Sequence, residues 1–231
     1  MSTSILAIET ATEACSAALM IDNTISERFA VTPREHTQHI LLMVDSLLAE
    51  ASITLSDLDT IAFSRGPGSF TGVRISISIA QGLALGANLS LIGISTLVTL
   101  AQGAWRQTGA HQVLTAIDAR MGEIYCAPYR RNNKGVWLGE ADEAVRKPEE
   151  LVRLTSELTG EWFCAGTGWM ISPVLIAFRR RTIKDGQNVI LPSAQDILPL
   201  ALQQWRTGCA QSVDKVEPVY LRNKVAFQTN R

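Results

Sequence analysis

Apolar residues recur along the chain with two periods, and the alternation between the two lays out its elements. Residues 5–9, 15–21 and 24–30 are short apolar or alternating runs, and they predict three strands. Asp22-Asn23 between the last two suits a hairpin turn, because both residues tolerate left-handed backbone angles. From residue 36 to 51 the spacing becomes helical, with Ile40, Met43, Val44, Leu47, Leu48 and Ala51 on one side. Residues 60–64 read as a buried strand and Gly66-Pro67-Gly68 as a turn. Residues 71–87 follow as a second helix, 91–94 as a strand, and about 95–105 as a third helix.

The pattern then begins again. Residues 113–118 and 123–130 predict two strands around a turn at 119–122. A turn at 132–135 leads to a third strand, and a helix begins near Pro148, where proline suits the first turn. Residues 162–165 read as a strand and 193–206 as a helix closed by Gly208. Ala7-Ile8-Glu9 leads to Glu13 and Cys15, and Ala116-Ile117-Asp118 leads to Glu123 and Cys126. Each pair of segments places a carboxylate at a strand end before a turn and a second strand. The restart implies a duplicated α/β protein with mixed sheets and flanking helices. Its lobes are expected at 1–108 and 109–231 and meet near 107–113, with room for the last residues to return to the first lobe.

The helix over 71–87 carries more apolar surface than one sheet can cover. At roughly 100° per residue, Arg74, Ser78 and Gln81 make a narrow polar stripe and apolar residues take nearly everything else. Gly82 and Gly86 lie four apart near Ile75 and Ile79, a spacing that permits close helix approach. The helix from His36 also has a wide apolar stripe. The two helices are either internal core or a face for another subunit. A partner face would comprise His36, His39, Ile40, Met43, Leu47, Gly72, Ile75, Ile79, Gly82 and Gly86, and would pair with itself in a homodimer when the protein is alone.

Composition narrows the classes. With 21 basic and 22 acidic residues the net charge is −1, which argues against holding nucleic acid by bulk electrostatics, although a local basic patch stays open. The four cysteines are scattered without a C-x-x-C pair, so buried, reduced thiols in a cytoplasmic protein are expected. Glu9 interrupts the first apolar run at once, unlike a signal peptide, and no apolar run nears the ~20 residues of a membrane span.

Candidate chemistry is sparse. Arg65-Gly66-Pro67-Gly68-Ser69-Phe70-Thr71-Gly72 joins a strand to a helix, where backbone N–H groups and the helix dipole favour anions. It matches neither the P-loop nor the dinucleotide spacing, so a tight turn with Ser69 or Thr71 as the helix cap is equally readable. Gly166 and Gly168 form a second such turn. Weak nucleotide or anion contacts, if present, would come from Glu9, Thr10, Gly66, Gly68, Ser69, Asp118, Gly166 and Gly168. His36 and His39 lack a third metal ligand, and no nucleophile–base–acid set can be assembled from them and His111. Arg179-Arg180-Arg181 with Lys184 is a solvated face or a phosphate contact.

Several stretches together resemble the TsaB family, also called YeaZ. They are Ile5-Leu6-Ala7-Ile8-Glu9-Thr10-Ala11-Thr12-Glu13, Pro33-Arg34-Glu35-His36-Thr37-Gln38-His39, the run from Gly66 to Arg74 with Gln81-Gly82-Leu83-Ala84, and Ile117-Asp118-Ala119-Arg120-Met121-Gly122-Glu123. Glu217-Pro218-Val219-Tyr220-Leu221-Arg222 closes the match. The resemblance implies the duplicated actin-like ATPase fold, related to ribonuclease H. It also implies a scaffold subunit for threonylcarbamoyl transfer to N6 of an adenosine in tRNA. The catalytic relative, TsaD, carries a metal-binding His-x-x-x-His pair, and matching its strand to Leu91-Ile92-Gly93-Ile94-Ser95 puts Thr96 and Leu100 at those two positions. Leucine cannot coordinate a metal. The implied partners are TsaD, the small ATPase TsaE in the presence of nucleotide, and tRNA indirectly, with no metal, no cofactor and no membrane. Two other classes remain in view: a stand-alone actin-like kinase or ATPase, and a peptidase.

Overall fold

Alternating and fully apolar strands pair where their turns allow. In the computed structural model, which describes residues 3–156, 158–182 and 189–222, β1 (Ser4–Glu9) pairs antiparallel with β2 (Ala14–Ile21), and β2 with β3 (Thr24–Val31). Asp22 and Asn23 take φ of 50° and 67°, the left-handed pair that a tight hairpin turn needs. After α1 (His36–Ala51), β4 (Thr60–Ser64) lies parallel to β1 and is buried at every residue. That fits a parallel strand covered on both faces. α2 (Phe70–Ala87) leads to β5 (Ser90–Ile94), parallel to β4. The sheet order is β3-β2-β1-β4-β5. α3 (Thr96–Thr108) ends on Gly109 at φ 74°.

The second half repeats the scheme. β6 (Gln112–Arg120) and β7 (Glu123–Arg131) form the new antiparallel hairpin, with β8 (Trp137–Leu138) and β9 (Ala144–Arg146) also on β7. After α4 (Pro148–Thr155), β10 (Phe163–Ala165) joins β6 in parallel. A hairpin with a parallel partner on its first strand thus occurs twice, in two separate sheets. This is the duplicated actin-like α/β arrangement. α5 (Pro173–Thr182) is an element the periodicity does not predict. Its Phe178 stacks on the buried Trp169 at 5.7 Å, and that tertiary contact holds it to β10's side of the sheet.

α6 (Ala194–Arg206) comes late in the chain but packs across β1, β2, β4 and β5 of the first sheet. Its start is held by Ser16, whose Oγ accepts from Ala194 N at 2.9 Å, and by Glu27, which accepts from Gln195 N at 3.0 Å. Arg106 of α3 grips the buried Asp196 with two bonds of 2.7 and 2.9 Å. One core therefore runs from Ile5 and Ala7 through Leu100, Ala104, Ile197 and Ala201 to Val113 and Tyr129. α3 and α6 fill the space between the sheets. α1 and α2 cover the outer face of the first sheet through Ile40, Leu47, Val73 and Ala80.

Candidate functional site

Where the two hairpins turn, a cleft of about 650 Å³ opens between the sheets. Its walls are the β1–β2 turn (Ala11, Thr12, Glu13), the glycine loop before α2, the β6–β7 turn, and Val219, Tyr220 and Arg222. Of the residues that could contact a nucleotide, Gly68, Ser69 and Asp118 line it, while Glu9, Thr10, Gly66, Gly166 and Gly168 do not.

The glycines have internal reasons to be there. A Cβ on Gly68 would stand 2.4 Å from the Ala11 carbonyl oxygen, and one on Gly72 2.2 Å from that of Thr10. Ser69 N donates to Ala11 O at 2.8 Å, Thr10 Oγ1 donates to Gly72 O at 2.7 Å, and Ser69 Oγ caps the helix through Gly72 N. The second motif repeats the solution. A Cβ on Gly166, whose φ is 105°, would meet Ala116 O at 2.1 Å, and one on Gly168 would meet Ala116 C at 2.8 Å. Both motifs let a turn approach the backbone of its hairpin, which is why no larger residue fits. Asp118 bonds to Arg120 N at 2.7 Å and to the Arg120 guanidinium at 2.8 Å.

Glu9 is wholly buried. Its Oε1 accepts from Ala11 N at 2.6 Å, and its Oε2 has no partner. Burial pushes its pKa up to about 7, against the pull of the Ala11 bond. Burial likewise lifts Cys15 to about 11, with the nearby Glu9 charge adding to it, and Cys126 and Cys164 to about 12. These three thiols are poor nucleophiles at neutral pH. His36 is buried, with Nε2 at 2.8 Å from Thr12 O, and His39 stands 3.6 Å from Glu35. Thr96 and Leu100 are both fully buried in α3. Among the described residues, no three His, Cys, Asp or Glu side chains gather as a metal site. Arg179 lies at 2.8 Å from Met170 Sδ, and Lys184 falls outside the described residues.

The helical face divides. His36, Ile40, Leu47 and Gly72 are buried by the protein itself, so they cannot meet a partner. The helical stripe that suggested them is the one that faces the sheet. His39, Met43, Ile75 and Ile79 are half-buried, and Gly82 and Gly86 are exposed, with nothing within 4 Å of an added Cβ. Around them stand Leu42, 65% exposed, Phe70, 60%, and Leu85, 75%. A shallow groove of about 350 Å³ runs between Thr37 and the α2 residues Phe70, Arg74, Ile75, Ser78 and Ile79. α2 is long and apolar enough to span a bilayer by composition, yet Val73, Ile77, Ala80 and Ala84 pack into the core. Sequence reasoning missed the cluster in which Arg74 sits 3.6 Å over the Phe70 ring and bonds to Tyr220 Oη at 3.0 Å. The closing stretch to Arg222 was its only signal.

A family model described as "TsaD: tRNA N6-adenosine threonylcarbamoyltransferase" matches residues 24–225. The Escherichia coli (strain K12) protein named "tRNA threonylcarbamoyladenosine biosynthesis protein TsaB" is 54% identical over 224 residues, covering 97% of this chain and 96% of that one. The Haemophilus influenzae protein of the same name is 38% identical, covering 97% and 95%. Among solved structures, "YeaZ from Pseudomonas aeruginosa" superposes with a TM-score of 0.82 at 40% identity, covering 95% of this chain and all of that one. A second Pseudomonas aeruginosa structure, described as an uncharacterized protein with similarity to peptidase YEAZ, gives 0.83 at the same identity and coverage.

Proposed function

Because the chain belongs to the TsaB family, with a role in tRNA threonylcarbamoyladenosine biosynthesis, we propose that it is the non-catalytic, activating subunit of the threonylcarbamoyl-transfer complex. In this reading a TsaD-type subunit carries the metal and the chemistry. A TsaE-type ATPase joins in the presence of nucleotide, and tRNA is reached through the complex, in the cytoplasm. Residues 1–108 and 109–231 act as the two lobes, and α6 is the element by which the second stretch returns to the first sheet.

The observation that carries the reading is the α1–α2 face. Leu42, Phe70 and Leu85 stand exposed on α1 and α2, and at Gly82 and Gly86 no side chain keeps another helix away. An exposed apolar patch with a slim helix at its centre suits a helical partner. His39, Met43, Ile75, Ile79, Gly82 and Gly86 would line the contact, and the same face would pair two copies when the partner is absent. Burial of Cys15, Cys126 and Cys164, and the hold of the Thr12 carbonyl on His36, count against these residues as a peptidase's nucleophile and base. The backbone packed against Gly68 and Gly72 makes tight nucleotide binding by this chain alone unfavourable.

Reconstitution tests the proposal. The protein is combined with a TsaD-type transferase, a TsaE-type ATPase, threonine, bicarbonate, ATP, the enzyme that activates them, and unmodified tRNA. Modified adenosine is then measured by nucleoside mass spectrometry. Product should require both the transferase and this chain. Product formed with the chain but without the transferase would make it the catalyst, and equal product with or without the chain would remove the activating role.

A further inference from the structure

Behind the cleft, the two sheets are welded by the core of α3 and α6. At its mouth they are bridged by a strap from the end of the described chain. Val219 N donates to Arg65 O at 2.9 Å, which lays the strap against the glycine loop of the first lobe. Tyr220 stacks on Phe70, ring centres 6.0 Å apart, and its hydroxyl accepts from Arg74 Nε. Two residues later the strap has crossed to the second lobe. Arg222 Nη2 donates to Ala119 O at 3.1 Å and Arg120 O at 3.4 Å and pairs with the Glu123 carboxylate, while Nη1 lies 3.4 Å from Met121 Sδ.

The turn that Arg222 grips is held in an uncommon shape. Arg120 and Met121, neither of them glycine, take φ of 65° and 56°, and Gly122 follows at 74°. Consecutive left-handed residues with side chains persist only where surrounding contacts hold them. Here one guanidinium nitrogen shares its two N–H groups among two of the turn's carbonyls and a neighbouring carboxylate. Apart from it, the turn reaches the first lobe across the cleft mouth through Arg120 to Glu13 at 3.6 Å, an exposed pair that holds little.

We propose that residues 219–222 form a clasp, anchored on the first lobe by Val219 and Tyr220 and closed on the second by Arg222, that fixes the β6–β7 turn and so the mouth of the inter-lobe cleft. Opening the clasp frees the turn and widens the mouth without disturbing the core behind it. The anchor shares Phe70 and Arg74 with the α1–α2 groove, so whatever seats there bears on the clasp as well. The clasp itself does not depend on what that partner is.

Amide hydrogen exchange on the full chain, read by mass spectrometry, tests this. In Arg222→Ala, exchange across residues 118–123 should rise on the order of tenfold, with a smaller rise at the glycine loop, while β1, β4 and α6 keep their protection. Arg222→Lys keeps the charge but not the fork and should fall between variant and parent. Turn exchange within about twofold of the parent in folded Arg222→Ala would overturn the clasp, as would a rise spread evenly over all strands. Should Arg222→Ala fail to fold, Tyr220→Ala removes the opposite anchor and is read by the same criterion.

Discussion

Glu9 lies fully buried at the end of β1, with one carboxyl oxygen bonded to Ala11 N and the other unpartnered. Burial raises its pKa from 4.5 to about 7, outweighing the bond from Ala11. The folded value exceeds the unfolded one, so between the two the native state binds more protons than the unfolded chain. Stability from this group is therefore fully present below about pH 4.5 and is lost as pH rises through about 7. At about 1.4 kcal/mol per pKa unit the full loss is roughly 3 kcal/mol. Glu9→Gln abolishes the titration and keeps an acceptor for Ala11 N, but its new amide N–H groups cost about 1–2 kcal/mol unless they find partners. Urea unfolding of parent and variant from pH 5 to pH 8 gives the comparison. Burial also raises Asp196 and Glu143, but those carboxyls titrate in both proteins and cancel in the difference. Relative to the variant, the parent should lose roughly 2.5 kcal/mol across that range. A difference that stays flat from pH 5 to pH 8 would show that Glu9 is not held as the structure implies.

Three further outcomes are expected. Leu85→Glu alters a 75% exposed position, so the fold should change by no more than about 0.5 kcal/mol, while sedimentation of homodimer and of partner complex shows affinity falling about tenfold to a hundredfold. Gly72→Ala drives a Cβ against Thr10 O and should cost about 1–3 kcal/mol in urea unfolding, whereas Gly86→Ala, with open space around it, should stabilise the monomer by about 0.5–1 kcal/mol and weaken a close helix contact. Arg106→Leu leaves Asp196 buried without its cation and should cost about 3 kcal/mol or more at neutral pH, an effect that shrinks in Asp196→Asn/Arg106→Leu.

Much of the fold is legible because hydrophobic period and turn chemistry agree. The bounds of α1 and β4 follow from spacing, and α2 begins one residue before the predicted start, since Ser69 rather than Thr71 supplies the cap. The duplication is legible because Glu9 ends β1 and Asp118 lies two residues before the end of β6, each just ahead of its hairpin turn. α5 is hidden, because its apolar residues run straight into three arginines and its reason to be helical, Trp169, lies outside it. The place of α6 is hidden for a similar cause. Spacing shows which side of that helix is apolar but not which sheet it covers, and Asp196 resembles an ordinary first-turn acid until Arg106 is seen beside it. The partner face illustrates the same limit. Periodicity selects Ile40 and Leu47, which face the core, whereas Leu42 and Leu85 fall off the stripe and stand in solvent.

The glycine motifs show why spacing alone does not assign a ligand. A loop that binds phosphate needs glycines so that N–H groups can close on an anion. A loop that packs on a hairpin needs them so that its backbone can pass another. The two demands leave the same letters, and only what stands opposite the missing Cβ separates them. Opposite Gly68, Gly72 and Gly166 stand the carbonyl oxygens of Ala11, Thr10 and Ala116. These present partial negative charge and exclude an anion from those positions. Both lobes share the solution: in each, the glycine motif packs against the backbone of its own hairpin beside the cleft. What spans it instead is the chain's own Tyr220 and Arg222, bonded to one lobe and then the other. A bridge that a ligand would supply on demand is here covalently attached. It therefore has a high effective concentration at the cleft, and other molecules must displace it before they can open the mouth.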